Sequence, residues 1–183
     1  MQTCDGSKKN EYTQIVNHKY NLVSPFNILF MWLGHFIAGL IISVFFSFDL
    51  ATISVCMFFS WLPNSDAILV KLGLAGKEFH TGPTHSLVFS LFIGLVVSIF
   101  SLKYGFIAFL CSFTHLICDL PVNTGIDFLY PFKKRKVSLN LWKDTGFWER
   151  KSIIGYYKQK WAKILELLLF LLFIILLTLK EVF

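Results

Sequence analysis

Long apolar runs separated by short polar breaks constrain this chain more than any other feature. Five runs are predicted to be helices, at residues 26–48, 50–62, 83–100, 104–120 and 161–179. About 20 apolar residues in a helix span the roughly 30 Å hydrocarbon core of a bilayer. The composition agrees, because 55% of the 183 residues are hydrophobic and only 15% are charged. The sequence therefore predicts an all-α fold, a polytopic membrane helical bundle of about five transmembrane helices.

Prolines mark three of the predicted helix ends. Pro63 is expected to end the second helix, Pro83 to open the third after a loop at 64–82, and Pro121 to stop the fourth. Because successive membrane helices alternate in direction, these three ends should meet on one side of the membrane. Any polar residues near them should therefore lie close together.

The basic residues indicate which side that is. Fifteen of the 17 Lys and Arg residues fall on the side of these helix ends, and only Lys103 and Lys180 fall on the other. By the positive-inside rule we expect the N-terminus and the site to be cytoplasmic and the C-terminus to be outside, in the cytoplasmic (inner) membrane. This placement accounts for the net charge of +6 without a nucleic-acid partner.

Four segments are expected along the chain. A cytoplasmic N-terminal segment, 1–25, shows no cleaved signal peptide and precedes a four-helix membrane core at 26–132. A basic and aromatic interfacial segment follows at 133–160, with an irregular stretch at 122–132 before it, and a C-terminal transmembrane helix occupies 161–183. The four cysteines form no CxxC pair and predict no disulfide framework.

Ionisable residues occur where the three helix ends meet, and burying them costs several kcal/mol each unless they are paired or metal-bound. His115 and Asp119 lie one helical turn apart, so their side chains share a face. A hydrogen-bonded pair joining two helices is the alternative. His80 and His85 flank a Gly-Pro turn that lets both imidazoles face one centre, although a polar loop with two solvated histidines would look the same.

The candidate metal ligands are His35, Asp66, His80, His85, His115 and Asp119. Six ligands exceed what one tetrahedral ion needs, which predicts a catalytic centre of one or two divalent ions with open positions for water. Zinc suits histidine with carboxylate, with manganese or iron as alternatives. His35 could instead be an interhelical contact. Cys111 and Cys118 could add soft ligands, but small residues at helix contacts are the commoner explanation.

The order of these motifs resembles the bacterial and archaeal family of membrane-bound, metal-dependent hydrolases, some described as LexA-regulated. The motifs are His35, Leu62-Pro63-Asn64-Ser65-Asp66, His80-Thr81-Gly82-Pro83-Thr84-His85-Ser86, His115-x-x-x-Asp119, Gly125 and Pro131. The family pattern reads approximately LPDxD and HRGxTHS, so Asn64 and Thr81 stand where the family has Asp and Arg. More distantly, the order is similar to zinc-dependent phospholipase C and P1-type nucleases, which implies cleavage of phosphate esters.

These observations together predict a membrane-embedded hydrolase that cleaves a phosphoester of a lipid or lipid-linked substrate with a metal-activated water. His80, His115 and Asp119 are expected to hold the metal, with His35 completing this shell or binding a second ion. Asp66 and His85 are the candidate catalytic residues for proton transfer, and either could also be a ligand. The candidate substrate-binding residues are Asn64, Thr84, Ser86, Lys133, Lys134 and Arg135.

Two other functions fit parts of the sequence. Intramembrane histidines and aspartates could form the path of a metal-ion or proton transporter. The sequence shows no inverted repeat, and its polar groups gather at one side, which argues against a transport path. The substitutions at Asn64 and Thr81 are also compatible with a membrane protein that keeps a degenerate metal site.

Overall fold

The fold is described by a computed structural model for residues 33–76, 79–145 and 150–182. The predicted N-terminal segment 1–25, and residues 26–32 of the first predicted helix, lie outside the described residues. Within the described ranges the chain forms helices and no β-strand, which confirms the predicted all-α bundle. The α-helices are α1 (Leu33–Phe46), α2 (Leu50–Trp61), α3 (Asp66–Lys71), α4 (Leu87–Ser98), α5 (Leu102–Asp119), α6 (Arg150–Lys158) and α7 (Lys160–Val182).

Three helical stretches of the described chain are long and apolar enough to cross a membrane. They are Leu50–Lys71, which joins α2 to α3, Leu102–Asp119, which is α5, and Lys160–Lys180 within α7. The helices α1 and α4 are equally apolar but have only 14 and 12 described residues. Large side chains such as Leu168 and Phe170 on α7 are half exposed, as expected for a helix that faces lipid.

The α-helix α2 ends at Trp61, before Pro63, as predicted, but the prediction of a loop from residue 64 is wrong. Leu62–Ser65 form a 3-10 turn and α3 follows it directly, so helical backbone continues from Leu50 to Lys71. Proline cannot donate the hydrogen bond of an α-helix interior, and the tighter turn carries the chain past it. Asp66 consequently begins a helix instead of lying in a loop, and its side chain is buried.

Small residues allow the helices of the bundle to approach closely. The helix α1 packs on α2, α5 and α7, α2 also packs on α5, and α4 packs on α5. At the crossing of α1 and α2, a Cβ atom on Gly39 would lie 2.5 Å from Ser60 Oγ. Between α4 and α5, Gly105 faces Ser98 in the same way. Cys56 and Cys111 are fully buried at the contact of α2 with α5, which places Cys111 in the helix core. Such close contacts are how helices associate in lipid.

Hydrogen bonds join the helix ends at the side of the bundle where α1 ends and α2 begins. Asp49 caps α2 and accepts a hydrogen bond from the Ser47 hydroxyl. This bond, followed by that from the backbone of α2, lowers the pKa of Asp49 to about 2. Lys103 Nζ donates to Ser47 Oγ at 3.1 Å, and Lys180 Nζ donates to the carbonyl of Val44 at 2.6 Å.

The chain between α5 and α6 folds back on itself at the other side of the bundle. Ile126 and Val137 exchange backbone hydrogen bonds of 3.0 and 2.8 Å, and Asn123 N donates to the Trp142 carbonyl at 2.9 Å. Gly125 takes a φ of 66°, where a Cβ atom would lie 2.7 Å from Val137 O. Many backbone N–H and C=O groups of this loop form hydrogen bonds with each other. The loop can therefore bury Trp142, although the sequence predicted this residue for the headgroup layer.

Candidate metal centre

All six side chains that the sequence predicted as ligands lie together in the structure. They come from α1, from the start of α3, from the segment between α3 and α4, and from the end of α5. Their ligand atoms form two groups in which all members lie within 4.8 Å of one another: His35, His115 and Asp119, and Asp66, His80 and His85. The convergence follows from the alternation of helix directions, because each contributing segment begins or ends at this side of the bundle.

Asp119 is the hub of the first group. Its carboxylate oxygens lie 3.1 Å from His115 Nε2, 3.3 Å from His35 Nε2 and 3.3 Å from His85 Nε2. The Nε2 atoms of His115 and His85 are themselves 3.3 Å apart. Tetrahedral ligand atoms bound at about 2.0–2.1 Å to zinc lie about 3.4 Å from each other. The donor set and its spacing therefore fit one divalent ion held by imidazole nitrogens and a carboxylate.

The helix α2 fixes the ring of His115 in the orientation that metal binding needs. His115 Nδ1 lies 2.7 Å from the backbone carbonyl of Ser60 and can only donate to it. A neutral imidazole with its hydrogen on Nδ1 has its lone pair on Nε2, the atom that faces Asp119. The ring of His35 stacks on that of His115 with centroids 4.0 Å apart, which holds α1 to the same centre.

Asp66 is the hub of the second group and lies on the Nδ1 side of two imidazoles. Its Oδ1 is 2.7 Å from His80 Nδ1, and its Oδ2 is 3.4 Å from His85 Nδ1 and accepts a hydrogen bond from the Thr84 hydroxyl. A carboxylate behind a metal-binding histidine sets its tautomer and orientation. Asp66 therefore directs His85 Nε2 toward Asp119, and His85 takes the place beside the first group that the sequence assigned to His80.

The electrostatics around His85 favour a bound cation. Burial acts to lower the pKa of this histidine, but the hydrogen bonds and charges of Asp119 and Asp66 outweigh burial, and the pKa is raised. Two carboxylates on opposite edges of one imidazole thus attract positive charge to this point. A divalent ion satisfies both of them without a proton on the ring.

A cavity of about 90 Å³ opens beside the cluster, which is room for several water molecules. From the cluster it is lined by His35, His80 and Asp119. Its far wall includes Trp142 from the loop, Tyr156 from α6 and Glu166 from α7. The predicted catalytic residues Asp66 and His85 do not line it, and their side chains are fully buried. A substrate in this cavity would meet His80 and Asp119 first.

Three of the predicted substrate-binding residues, Asn64, Thr84 and Ser86, differ from one another in what their side chains contact. Asn64 is buried and lines the cavity. Thr84 directs its hydroxyl to Asp66, so it supports the carboxylate. Ser86 is the N-cap of α4: its hydroxyl accepts from Phe89 N at 3.1 Å and donates to the Pro83 carbonyl at 2.7 Å. Its hydrogen-bonding capacity serves the start of the helix.

The basic cluster, Lys133-Lys134-Arg135-Lys136, reaches the site through its last residue. Lys133, Lys134 and Arg135 are exposed and do not line the cavity. Lys136, the next residue, donates from Nζ to the hydroxyl of Thr81 at 2.7 Å, and Thr81 lines the cavity. The antiparallel pairing at Val137 turns this part of the loop toward the segment that carries His80, and sequence spacing gives no sign of that pairing.

Sequence reasoning also missed the wall formed by Trp142, Tyr156 and Glu166. Glu166 carried a usable signal, because it is an acidic residue inside the last apolar run, at 161–179. A carboxylate in such a run marks a functional site by default. Gln159 holds the wall together, since its side chain accepts from Lys143 N at 2.7 Å and donates to Lys143 O at 2.8 Å.

Comparison with known proteins identifies a family. No curated protein and no solved structure matches the chain significantly. The sequence model of the family described as YdjM inner membrane protein matches residues 30–182, a range that contains all six candidate ligands, the cavity wall and every helix described above. The match carries no statement about hydrolysis or a metal. The chain belongs to the YdjM family of inner membrane proteins.

Proposed function

We propose that this protein is a membrane-embedded, metal-dependent hydrolase that cleaves a phosphoester of a lipid or lipid-linked substrate. The observation that carries the proposal is the spacing around Asp119, whose carboxylate lies 3.1–3.3 Å from the Nε2 atoms of three histidines. A hydrogen-bonded pair joining two helices would need one histidine. Three imidazoles around one carboxylate, with a second carboxylate behind them, are the arrangement of a metal centre.

His35, His85, His115 and Asp119 would hold the ion, and zinc suits this donor set best, with manganese or iron as alternatives. When bound, a divalent ion supplies a Lewis acid for a phosphoryl oxygen and makes water more acidic. The second group, Asp66 and His80 with His85, could hold a second ion or position the first.

His80 is the best-placed residue for proton transfer. It lines the cavity, and the Asp66 carboxylate holds its Nδ1 at 2.7 Å. An imidazole oriented in this way can take a proton from water at its other nitrogen and later return it to the leaving alcohol. This assignment moves the acid–base role from Asp66 and His85 to His80, and it gives those two residues the task of orientation and metal binding.

The membrane setting and the local charge support a lipid phosphoester as the substrate. The site lies at one end of helices that cross the membrane, next to a loop that carries the basic cluster. Lys143 lines the cavity, and Lys136 is bonded to Thr81 at its edge. Lysines at this position suit an anionic phosphate that remains attached to a lipid in the adjacent leaflet.

The proposal is tested on the full-length protein in lipid nanodiscs. We expect zinc or manganese to co-purify, and a panel of phospholipids to show turnover that a chelator abolishes and added metal restores. His80→Gln should lower the rate by about 10²- to 10⁴-fold while metal content is retained. Metal or proton flux across sealed vesicles, with no product from any phosphoester, would instead identify a transporter and refute the hydrolase.

A further inference from the structure

Within the part of the chain that the structure describes, three buried side-chain polar atoms have no hydrogen-bond partner, and all three belong to residues that line the same cavity. They are His35 Nδ1, Trp142 Nε1 and Glu166 Oε1. Each of these residues is at least nine-tenths buried, with exposures of 9%, 6% and 6%. Buried polar atoms are almost always paired, and an unpaired one points to a bound water or ligand. They come from α1, the 120–145 loop and α7, so no local backbone feature accounts for them.

The chemistry of the three atoms defines what would satisfy them. Trp142 Nε1–H can only donate a hydrogen bond. His35 Nε2 faces Asp119 in the metal centre, so with an ion bound there the hydrogen of this ring lies on Nδ1, which then also donates. The Glu166 carboxylate lies beside the hydroxyls of Tyr156 and Tyr157 and the backbone of Gly34, and its Oε1 remains an acceptor without a hydrogen-bond partner among the described residues. The cavity therefore offers two donors and one acceptor.

We propose that this cavity binds the hydroxyl-bearing alcohol part of a phosphorylated polyol, of which glycerol phosphate is the simplest example. A hydroxyl both accepts and donates, so neighbouring hydroxyl and ester oxygens can take the hydrogens of Trp142 and His35 and give one to Glu166. An ethanolamine or choline group has no acceptor on its nitrogen. Such a cation could pair with Glu166 but brings no hydroxyl oxygen to accept from Trp142 or His35. The inference rests on the proposed function, because it places the phosphate at the metal centre.

A groove on the membrane side favours a lipid as the source of this headgroup. Glu166 also lines an apolar groove of about 410 Å³ between α1 and α7, formed by side chains that include Leu33, Ile37, Phe170 and Phe173. The carboxylate thus stands at the junction of a polar cavity and an apolar groove in a helix that crosses the membrane. A lipid matches both surfaces when its headgroup occupies the first and an acyl chain the second.

The test measures binding, so that it is independent of turnover. The zinc-loaded protein in phosphatidylcholine nanodiscs is titrated calorimetrically with glycerol 3-phosphate and with phosphoethanolamine. We expect glycerol 3-phosphate to bind at least about tenfold more tightly. Trp142→Phe keeps the ring beside Tyr156 but removes the donor, and Glu166→Met removes the acceptor. Each should reduce the preference by about fivefold to tenfold with zinc content unchanged.

Trp161→Phe is the matched control, because Trp161 is 57% exposed and does not line the cavity, and it should keep the full preference. Equal affinity for the two compounds, or a preference that survives both cavity variants, overturns the proposal. Replacing phosphatidylcholine by phosphatidylglycerol should weaken the apparent binding of glycerol 3-phosphate by competition. Without such competition the cavity serves a free polyol phosphate, and the lipid assignment fails. A preserved preference without any lipid turnover would refute the hydrolase alone.

Discussion

The variant Asp66→Asn tests whether the Asp66 carboxylate orients histidines or binds the ion itself. The two oxygens of Asp66 accept from His80 Nδ1 at 2.7 Å and from the Thr84 hydroxyl, and they lie 3.4 Å from His85 Nδ1 at the nearest. Asn offers one acceptor oxygen, and its amide group must face one of these donors. The variant therefore loses at least one charge-assisted hydrogen bond and turns another into a donor–donor contact.

The expected magnitude follows from this change. Losing the support behind a metal-binding histidine typically lowers metal affinity by about 10- to 100-fold, which corresponds to about 1.4–2.7 kcal/mol. Asp119→Asn removes the carboxylate that lies within 3.3 Å of three imidazole nitrogens, so its loss should exceed 100-fold. The test therefore depends on which of the two variants loses more metal affinity, and less on the size of either loss.

The assay is competition for zinc with a chromogenic chelator, with each variant in nanodiscs at one pH. Asp49→Asn is the matched control, because Asp49 also accepts hydrogen bonds from hydroxyls but lies where α1 meets α2, away from the cluster. Its zinc affinity should equal that of the unmodified chain. If Asp66→Asn loses as much affinity as Asp119→Asn, Asp66 is a ligand and our division of the two groups is wrong. If Asp66→Asn loses no zinc affinity, the Asp66 carboxylate does not orient a histidine that binds the ion.

Three further predictions address topology, shared ligation and charge. A cysteine at Lys134 should react only from the cytoplasmic side and one at Lys180 only from outside, and labelling at residue 134 in intact cells from outside would reverse the orientation. His115→Ala and Asp119→Ala should each remove most of the bound metal, with the double variant little worse than either; metal-replete single variants would favour a purely structural pair. Lys136→Gln should raise KM for an anionic lipid several-fold with kcat unchanged, whereas Lys134→Gln should change neither.

The sequence alone was sufficient to predict the helical bundle and to predict which six His and Asp side chains lie together. Apolar runs of helical length predicted the class of fold, and alternation of helix direction placed His80, His115 and Asp119 at one side. These inferences worked because both depend on local features, the hydropathy of a run and the position of a polar residue near its end. The same reasoning failed just after Pro63, where the backbone passes through a 3-10 turn and continues as α3 instead of forming the predicted loop.

Only the tertiary structure decided which role each residue of that cluster has and which residues form the cavity wall opposite it. Sequence spacing makes His80 and His85 equivalent, but the position of the Asp66 carboxylate directs His85 to the centre and leaves His80 on the cavity. Trp142 lines this cavity from a loop that has no sequence periodicity, and Glu166 lines it from α7, a helix that faces lipid. Side-chain direction there depends on hydrogen bonds between residues far apart in the chain, and hydropathy does not encode them.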